Sequence, residues 1–177
     1  MENGLDSLIK GLNIVLNDTD IKKTNVKIAI ETMSGKGTEI CTNFEQIRYV
    51  LDRVEEQNKV GVCIDTCHIN DAGYDIKNDL DGVIGNFNEI IGLNKLFVIH
   101  LNDSKNSINS HKDRHHNIGY GTIGFKVLNK IVHNPLFKDV PIILETPWIG
   151  NYCPYKEEIK MLKNSCFSDP FKELLNQ

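Results

Sequence analysis

Val60-Gly61-Val62-Cys63-Ile64-Asp65-Thr66-Cys67-His68 is the stretch that decides how this chain is read. Its first five residues form a short apolar run rich in β-branched side chains. That run suits a strand buried on both faces of a parallel sheet better than it suits a helix. It stops on a carboxylate, Asp65. Three residues further on, where the chain is expected to enter a loop, stands an imidazole, His68.

Three other runs share this build: Val26 to Ile30 (with Lys27 inside), Leu96 to Ile99, and Ile142 to Leu144. Each is followed at once by a residue that can bind a metal or move a proton, namely Glu31, His100 and Glu145. The intervals between the four ionisable residues are each about one βα unit. In parallel barrels the functional face lies at the C-terminal ends of the strands, where every strand delivers its last side chain. One such residue is commonly a cap or half of an ion pair, but four in succession point to a shared site. Carboxylates gathered there without a cation would be strongly disfavoured, so either their pKa values rise or a metal neutralises them.

The intervening segments have helical spacing. In Thr42 to Gln57, Phe44, Ile47, Val50, Leu51 and Val54 fall on one face, and Thr42 with Glu45 makes a capping box. Helices are also expected over Leu5 to Leu16, Leu80 to Ile91 (Val83, Ile84 and Phe87 inward), Phe125 to Val132, and Tyr155 to Leu162. The order α-β-α-β-α-β-α-β-α means an α/β fold, either a doubly wound sheet or a barrel. A whole (β/α) barrel takes roughly 250 residues. The 177 residues therefore suggest a single domain over 1–177 with an incomplete TIM (β/α) barrel of about four parallel strands and flanking helices.

Composition narrows the class. With 40% hydrophobic and 25% charged residues, the chain has the profile of a globular domain with a core. No run approaches the roughly 18 apolar residues that span a bilayer, and the N-terminus has no basic region leading into an apolar one, so a cytoplasmic location and no membrane partner are expected. Cys41, Cys63, Cys67, Cys153 and Cys166 are odd in number and scattered, which speaks for reduced thiols. The net charge of −4 argues against nucleic acid as a partner unless bound divalent cations reverse the sign locally.

A second ligand cluster follows the strand that leads to His100. Asp113-Arg114-His115-His116 offers an Asp-x-His chelate in a loop, with Asp113 and His115 on the same side of an extended chain and His116 pointing away. His111 and His133 read as surface residues, and Cys67 as a small buried filler. Trp148 walls the site or, more simply, packs. Gly119 to Gly124 reads as a flexible turn before a helix, since no strand directly precedes it.

At these residues the sequence resembles the endonuclease IV family of abasic-site endonucleases. The carrying motifs are Ile30-Glu31-Thr32 with Gly35-Lys36-Gly37; the segment from Gly61 to His68; His100-Leu101-Asn102-Asp103-Ser104-Lys105; Asp113-Arg114-His115-His116 with Gly119; and Leu144-Glu145-Thr146-Pro147. The resemblance implies a barrel that holds three zinc ions, with manganese as another candidate, and cleaves double-stranded DNA 5′ to an abasic site in base excision repair. It further implies that Glu31 bridges the first and second metals, that Asp65, His100 and Glu145 complete the second, and that His68, Asp113 and His115 hold the third. Glu31 and Glu145 would also steer the attacking water. Two sites would then be complete in this chain, and the first would keep only Glu31.

The first four strands of that family are missing from the pattern. A truncated gene model is the preferred expectation, with a partner chain supplying the missing half or self-association through open sheet edges as the alternatives. Two other functions fit part of the pattern: a single-metal sugar isomerase or epimerase, and a non-catalytic DNA-binding remnant.

Overall fold

Four parallel strands stand in the order in which the chain makes them. In the computed structural model, which describes residues 2–175, these are β1 (Ile28–Glu31), β2 (Val60–Asp65), β3 (Leu96–His100) and β6 (Ile142–Ile143), and the sheet order is β1-β2-β3-β6. A doubly wound sheet reverses its strand order at a switch point, whereas a barrel adds each strand beside the last. The uninterrupted order makes this an open segment of a TIM-barrel-like α/β fold, with β1 and β6 as outer strands.

Helices cover the sheet because their apolar stripes have nowhere else to go. α1 (Glu2–Leu16) buries Leu5, Ile9, Leu12 and Leu16, an i, i+4, i+7, i+11 stripe. A short α2 (Thr19–Lys22) follows it. α3 (Phe44–Leu51) buries Phe44, Ile47, Val50 and Leu51. Phe44 stacks on Tyr74 with ring centroids 4.3 Å apart and meets the edge of Phe87 from α5 (Leu80–Ile90) at 5.3 Å. α6 (Phe125–Val132) and α7 (Tyr155–Lys163) complete the expected set, and α8 (Lys172–Leu175) lies beyond them. Among the described residues, no helix is long and apolar enough to cross a membrane.

Four local expectations are corrected. The cap of α3 is Asn43 rather than Thr42: the Asn43 side chain accepts from the Gln46 amide at 2.9 Å, and Gln46 Oε1 accepts from the Thr42 amide. The helix itself ends at Leu51, and Val54 is buried from the turn beyond it. His68 does not stand in a loop, because α4 (Thr66–Ala72) starts directly at the end of β2 with Asp65 as its N-cap. The Asp113 loop closes a small ribbon in which β5 (His115–His116) pairs antiparallel with β4 (Asp103–Ser104).

One irregularity sets the level of the strand ends. Val62 pairs with Leu96 but Cys63 pairs with Val98, so β3 carries one extra residue, Phe97. This bulge places His100 opposite Asp65, where an unbroken ladder would place Ile99. Gly61 makes room for it: a Cβ there would lie 2.5 Å from the Phe97 ring and 2.6 Å from the Lys95 carbonyl oxygen.

Candidate metal centre

Asp65 is the hub of the site. Fully buried, it turns Oδ1 to the His68 amide at 2.9 Å as the cap of α4, and Oδ2 to the Asn102 side-chain amide at 2.6 Å. Its backbone amide donates to Thr32 Oγ1 at 3.0 Å. Oδ2 also lies 4.0 Å from His100 Nδ1 and 3.6 Å from His115 Nε2, so one carboxylate borders two clusters.

The first cluster is Glu31, Asp65, His100 and Glu145, whose ligand atoms lie within 4.8 Å of one another. His100 turns Nδ1 into it, 3.1 Å from Glu31 Oε1 and 3.1 Å from Glu145 Oε2. The second is His68, Asp113 and His115 within the same limit. His68 Nε2 lies 2.9 Å from Asp113 Oδ1, and His115 Nε2 lies 3.5 Å from that oxygen. All seven residues singled out in the sequence therefore meet at one end of the sheet.

The geometry suits a cation. Among the described residues no Lys or Arg forms an ion pair with any of the four carboxylates, whose ion-pair partners are all imidazoles. Burial pushes the Asp65 carboxyl upward, against the nearby His68 and His115. Burial also opposes charge on Glu31, but the imidazoles of His68 and His100 outweigh it and hold Glu31 below its ordinary value. For His68 burial disfavours the proton, yet Glu31, Asp65 and Asp113 outweigh this and raise it to about 10. These carboxylates draw positive charge to themselves, as a metal site does.

Two ring contacts point the same way. His68 Nδ1 lies 2.8 Å from the Thr32 carbonyl and His115 Nδ1 lies 3.2 Å from the Glu145 carbonyl. A ring that donates from Nδ1 can present Nε2 to a cation in place of a proton, the usual support of a metal-bound imidazole. His115 Nε2 is buried and has no hydrogen-bond partner. An orphaned buried nitrogen between two carboxylates is well matched to a divalent ion.

The remaining expectations divide. Asp113 is not extended: its φ is +51°, and the loop rather than strand alternation brings it to His115. His116 does point away, with Nδ1 accepting from the Asn117 amide. His111 and His133 are exposed but engaged, against the Ser34 carbonyl at 2.9 Å and the Leu162 carbonyl at 2.9 Å respectively. Cys67 is fully buried, yet its sulfur falls among the ligand atoms of Asp65 and His115, and Cys63 stands likewise beside Glu31 and His100. Burial pushes both thiols well above their usual range. All five cysteines are free. Trp148 is 60% exposed, so it is not packed.

The segment from Gly119 to Gly124 is held rather than loose. The buried Asp103 carboxylate accepts from the amides of Ser104, Gly119, Gly121, Ile123 and Gly124. A Cβ at position 121 would lie 2.3 Å from the Ser104 carbonyl oxygen.

Sequence reasoning passed over the supports. Asn102 donates to Asp65 and accepts from the Glu145 amide at 2.9 Å, tying β2 to the end of β6. Glu158 on α7 accepts from Thr146, Asn117 and the Ile118 amide, which locks the Glu145 segment to the His115 segment. Polar residues inside otherwise apolar stretches were the available signal, but their partners lie many residues away.

Comparison with known proteins agrees with the geometry. The family model described as xylose isomerase-like TIM barrel matches residues 2–165. A probable endonuclease 4 from Pediococcus pentosaceus is 53% identical over 175 residues, covering 96% of this chain and 59% of that protein. Its counterpart from Geobacillus kaustophilus is 51% identical over 181 residues, covering 99% and 59%. The crystal structure of endonuclease IV from Thermus thermophilus superposes with a TM-score of 0.76 at 28% identity, covering 97% of this chain and 58% of that one. The chain thus spans about 59% of the length of the curated relatives it matches.

Proposed function

This chain belongs to the xylose isomerase-like TIM-barrel family, and from that premise we propose that it carries the metal centre of an endonuclease 4-type phosphodiesterase acting on double-stranded DNA at abasic sites. The observation that carries the reading is the pair of ligand clusters sharing Asp65 as their border, with His115 Nε2 left free between two carboxylates. Glu31, Asp65, His100 and Glu145 would hold one ion, and His68, Asp113 and His115 another. Imidazole and carboxylate donors suit zinc, and manganese as the alternative.

Bound divalent ions would supply Lewis acidity toward the phosphate and lower the pKa of a water at the site. The protein's own groups do the rest. Glu31 and Glu145 flank His100 Nδ1 with their carboxylate oxygens, where either can accept the proton of the attacking water. The water oxygen bonds to phosphorus, the bond from phosphorus to the 3′-oxygen breaks, and that oxygen leaves as a 3′-hydroxyl with a proton equivalent to the one the carboxylate took up, passed on directly or through solvent water. Asn102 holds Asp65 where its carboxylate borders both clusters. With a net charge of −4, DNA attraction rests on the cations held at this face.

The four-ligand cluster alone would also serve a one-metal sugar isomerase, and this second reading differs in its count of ions. Native mass spectrometry of the zinc-loaded chain should show two ions, one of them lost on His115→Ala. A single ion unaffected by that change favours the isomerase. Incubation with a duplex carrying one abasic analogue should give a single incision 5′ to it. Intact duplex in the presence of two bound ions would remove the endonuclease assignment for this chain.

A further inference from the structure

The ribbon and loop that deliver Asp113 are anchored by one side chain outside the two clusters. Asp71 lies on α4, three residues after His68, and is fully buried. Its Oδ1 accepts from Ser104 Oγ at 2.7 Å and from the Asn70 side-chain amide at 3.1 Å. Its Oδ2 accepts from the Asn106 side-chain amide at 3.1 Å and from the backbone amide of Asp113 at 3.1 Å. The helix backbone adds two more ties: the Asn109 amide donates to the Asn70 carbonyl and the His111 amide to the Asp71 carbonyl, both at 3.0 Å.

The loop needs these ties. Asn109, His111 and Asp113 all have positive φ, between 51° and 61°, in the left-handed region that non-glycine residues adopt only when the surroundings impose it. Much of the loop is exposed, with Lys112 and Arg114 in solvent. Ile108, the apolar side chain of this segment, is itself exposed.

Resting on the reading that His68, Asp113 and His115 hold an ion, we infer that Asp71 is a positioning residue for that site, presetting Asp113 by gripping its backbone amide. The same short helix then delivers one ligand directly, through His68, and aims a second, through Asp71. The two are separated by one helical turn, and His68 Nε2 lies 2.9 Å from Asp113 Oδ1. Hydrogen bonds behind a ligand commonly tune metal affinity in this way.

The test is Asp71→Asn in the full chain, titrated with Co2+ and followed by visible absorption and chelator competition. Asparagine keeps one acceptor but turns an NH2 group toward either the Asp113 and Asn106 donors or the Ser104 hydroxyl. The site of His68, Asp113 and His115, identified by its loss in His115→Ala, should weaken by roughly 10- to 100-fold while the four-ligand site keeps its affinity. Asn106→Ala, which removes another contact to the same carboxylate but spares the Asp113 amide, should change neither by more than about threefold. Equal weakening of both sites, or no change, overturns the inference, as does an Asn106→Ala effect as large as that of Asp71→Asn.

Amide hydrogen exchange on the wild-type, metal-free chain covers the case in which the variant fails to fold. The Asp113 amide should exchange at least about tenfold more slowly than that of its exposed neighbour Lys112. Equal rates would end the proposal. If wild-type chain binds no ion that His115→Ala removes, the metal reading fails instead, and the exchange result still reports whether Asp71 holds Asp113.

Discussion

The two ligand clusters stand side by side on different kinds of support. Glu31, Asp65 and His100 are the last residues of adjacent parallel strands, where main-chain ladders fix their spacing, and Glu145 follows β6 by two residues with its amide held by Asn102. His68, Asp113 and His115 come from the first turn of a helix, a loop residue at positive φ and a two-residue strand. The first cluster is built by the sheet itself, and the second by side-chain hydrogen bonds between segments far apart in sequence. The second should therefore be the more easily lost, and the border residue Asp65 the one change that removes both.

Asp65→Asn is the strongest challenge. The asparagine keeps an oxygen to cap α4, so the helix and His68 should remain, but the charge shared by both clusters disappears. Zinc affinity at both sites should fall by more than about 100-fold, or about 2.7 kcal/mol each, as read by calorimetric titration. Retention of one site at full strength would show that the clusters are independent.

Gly61→Ala tests the sheet's own contribution. A methyl group pressed against Phe97 and the Lys95 carbonyl should cost about 1–3 kcal/mol in chemical denaturation. By disturbing the bulge it should also weaken the four-ligand site more than the three-ligand one. An equal loss at both would mean that the bulge does not set the level of His100.

Asn102→Ala removes a link between Asp65 and the Glu145 backbone without touching a ligand's charge. About tenfold weaker binding at the four-ligand site is expected, with a smaller change at the other, measured by the same titration. The mildest effect belongs to Asn43→Ala, far from both clusters. Loss of this cap should lower stability by about 1 kcal/mol in denaturant and leave metal binding unchanged.

The strand-borne half of the site was legible because its signals are local. Val60 to Ile64 reads as a buried strand from its own residues, and Asp65 follows it at the only end a parallel barrel uses for function. The same reasoning found Glu31, His100 and Glu145. The start of α4 was misread as a loop because Asp65 does two jobs, ending β2 and capping the helix, and only its role at the strand end was weighed. Thr42 was taken for the α3 cap because Asn43, one residue on, fits that role equally well in sequence.

Asp113 and His115 were found as a motif, but for a geometric reason that does not hold, since an extended Asp-x-His was expected and the loop turns through positive φ instead. Asn102 was read only as part of a family motif, and Asp71 and Glu158 were given no role. Each is a polar residue whose meaning depends on partners 33 to 42 residues away in the chain.

The sequence by itself determined the α/β alternation, the parallel strands, the barrel-like family and the identity of all seven clustered side chains, because apolar periodicity and residue type act over a few neighbouring residues. Only the tertiary structure decided that His100 stands level with Asp65, that His115 Nε2 is left without a partner, and that Asp113 is aimed from Asp71 on the helix that carries His68. A bulge, a buried orphan atom and a long-range carboxylate clamp arise when distant segments compete for the same space and the same hydrogen bonds, and no local pattern records the outcome.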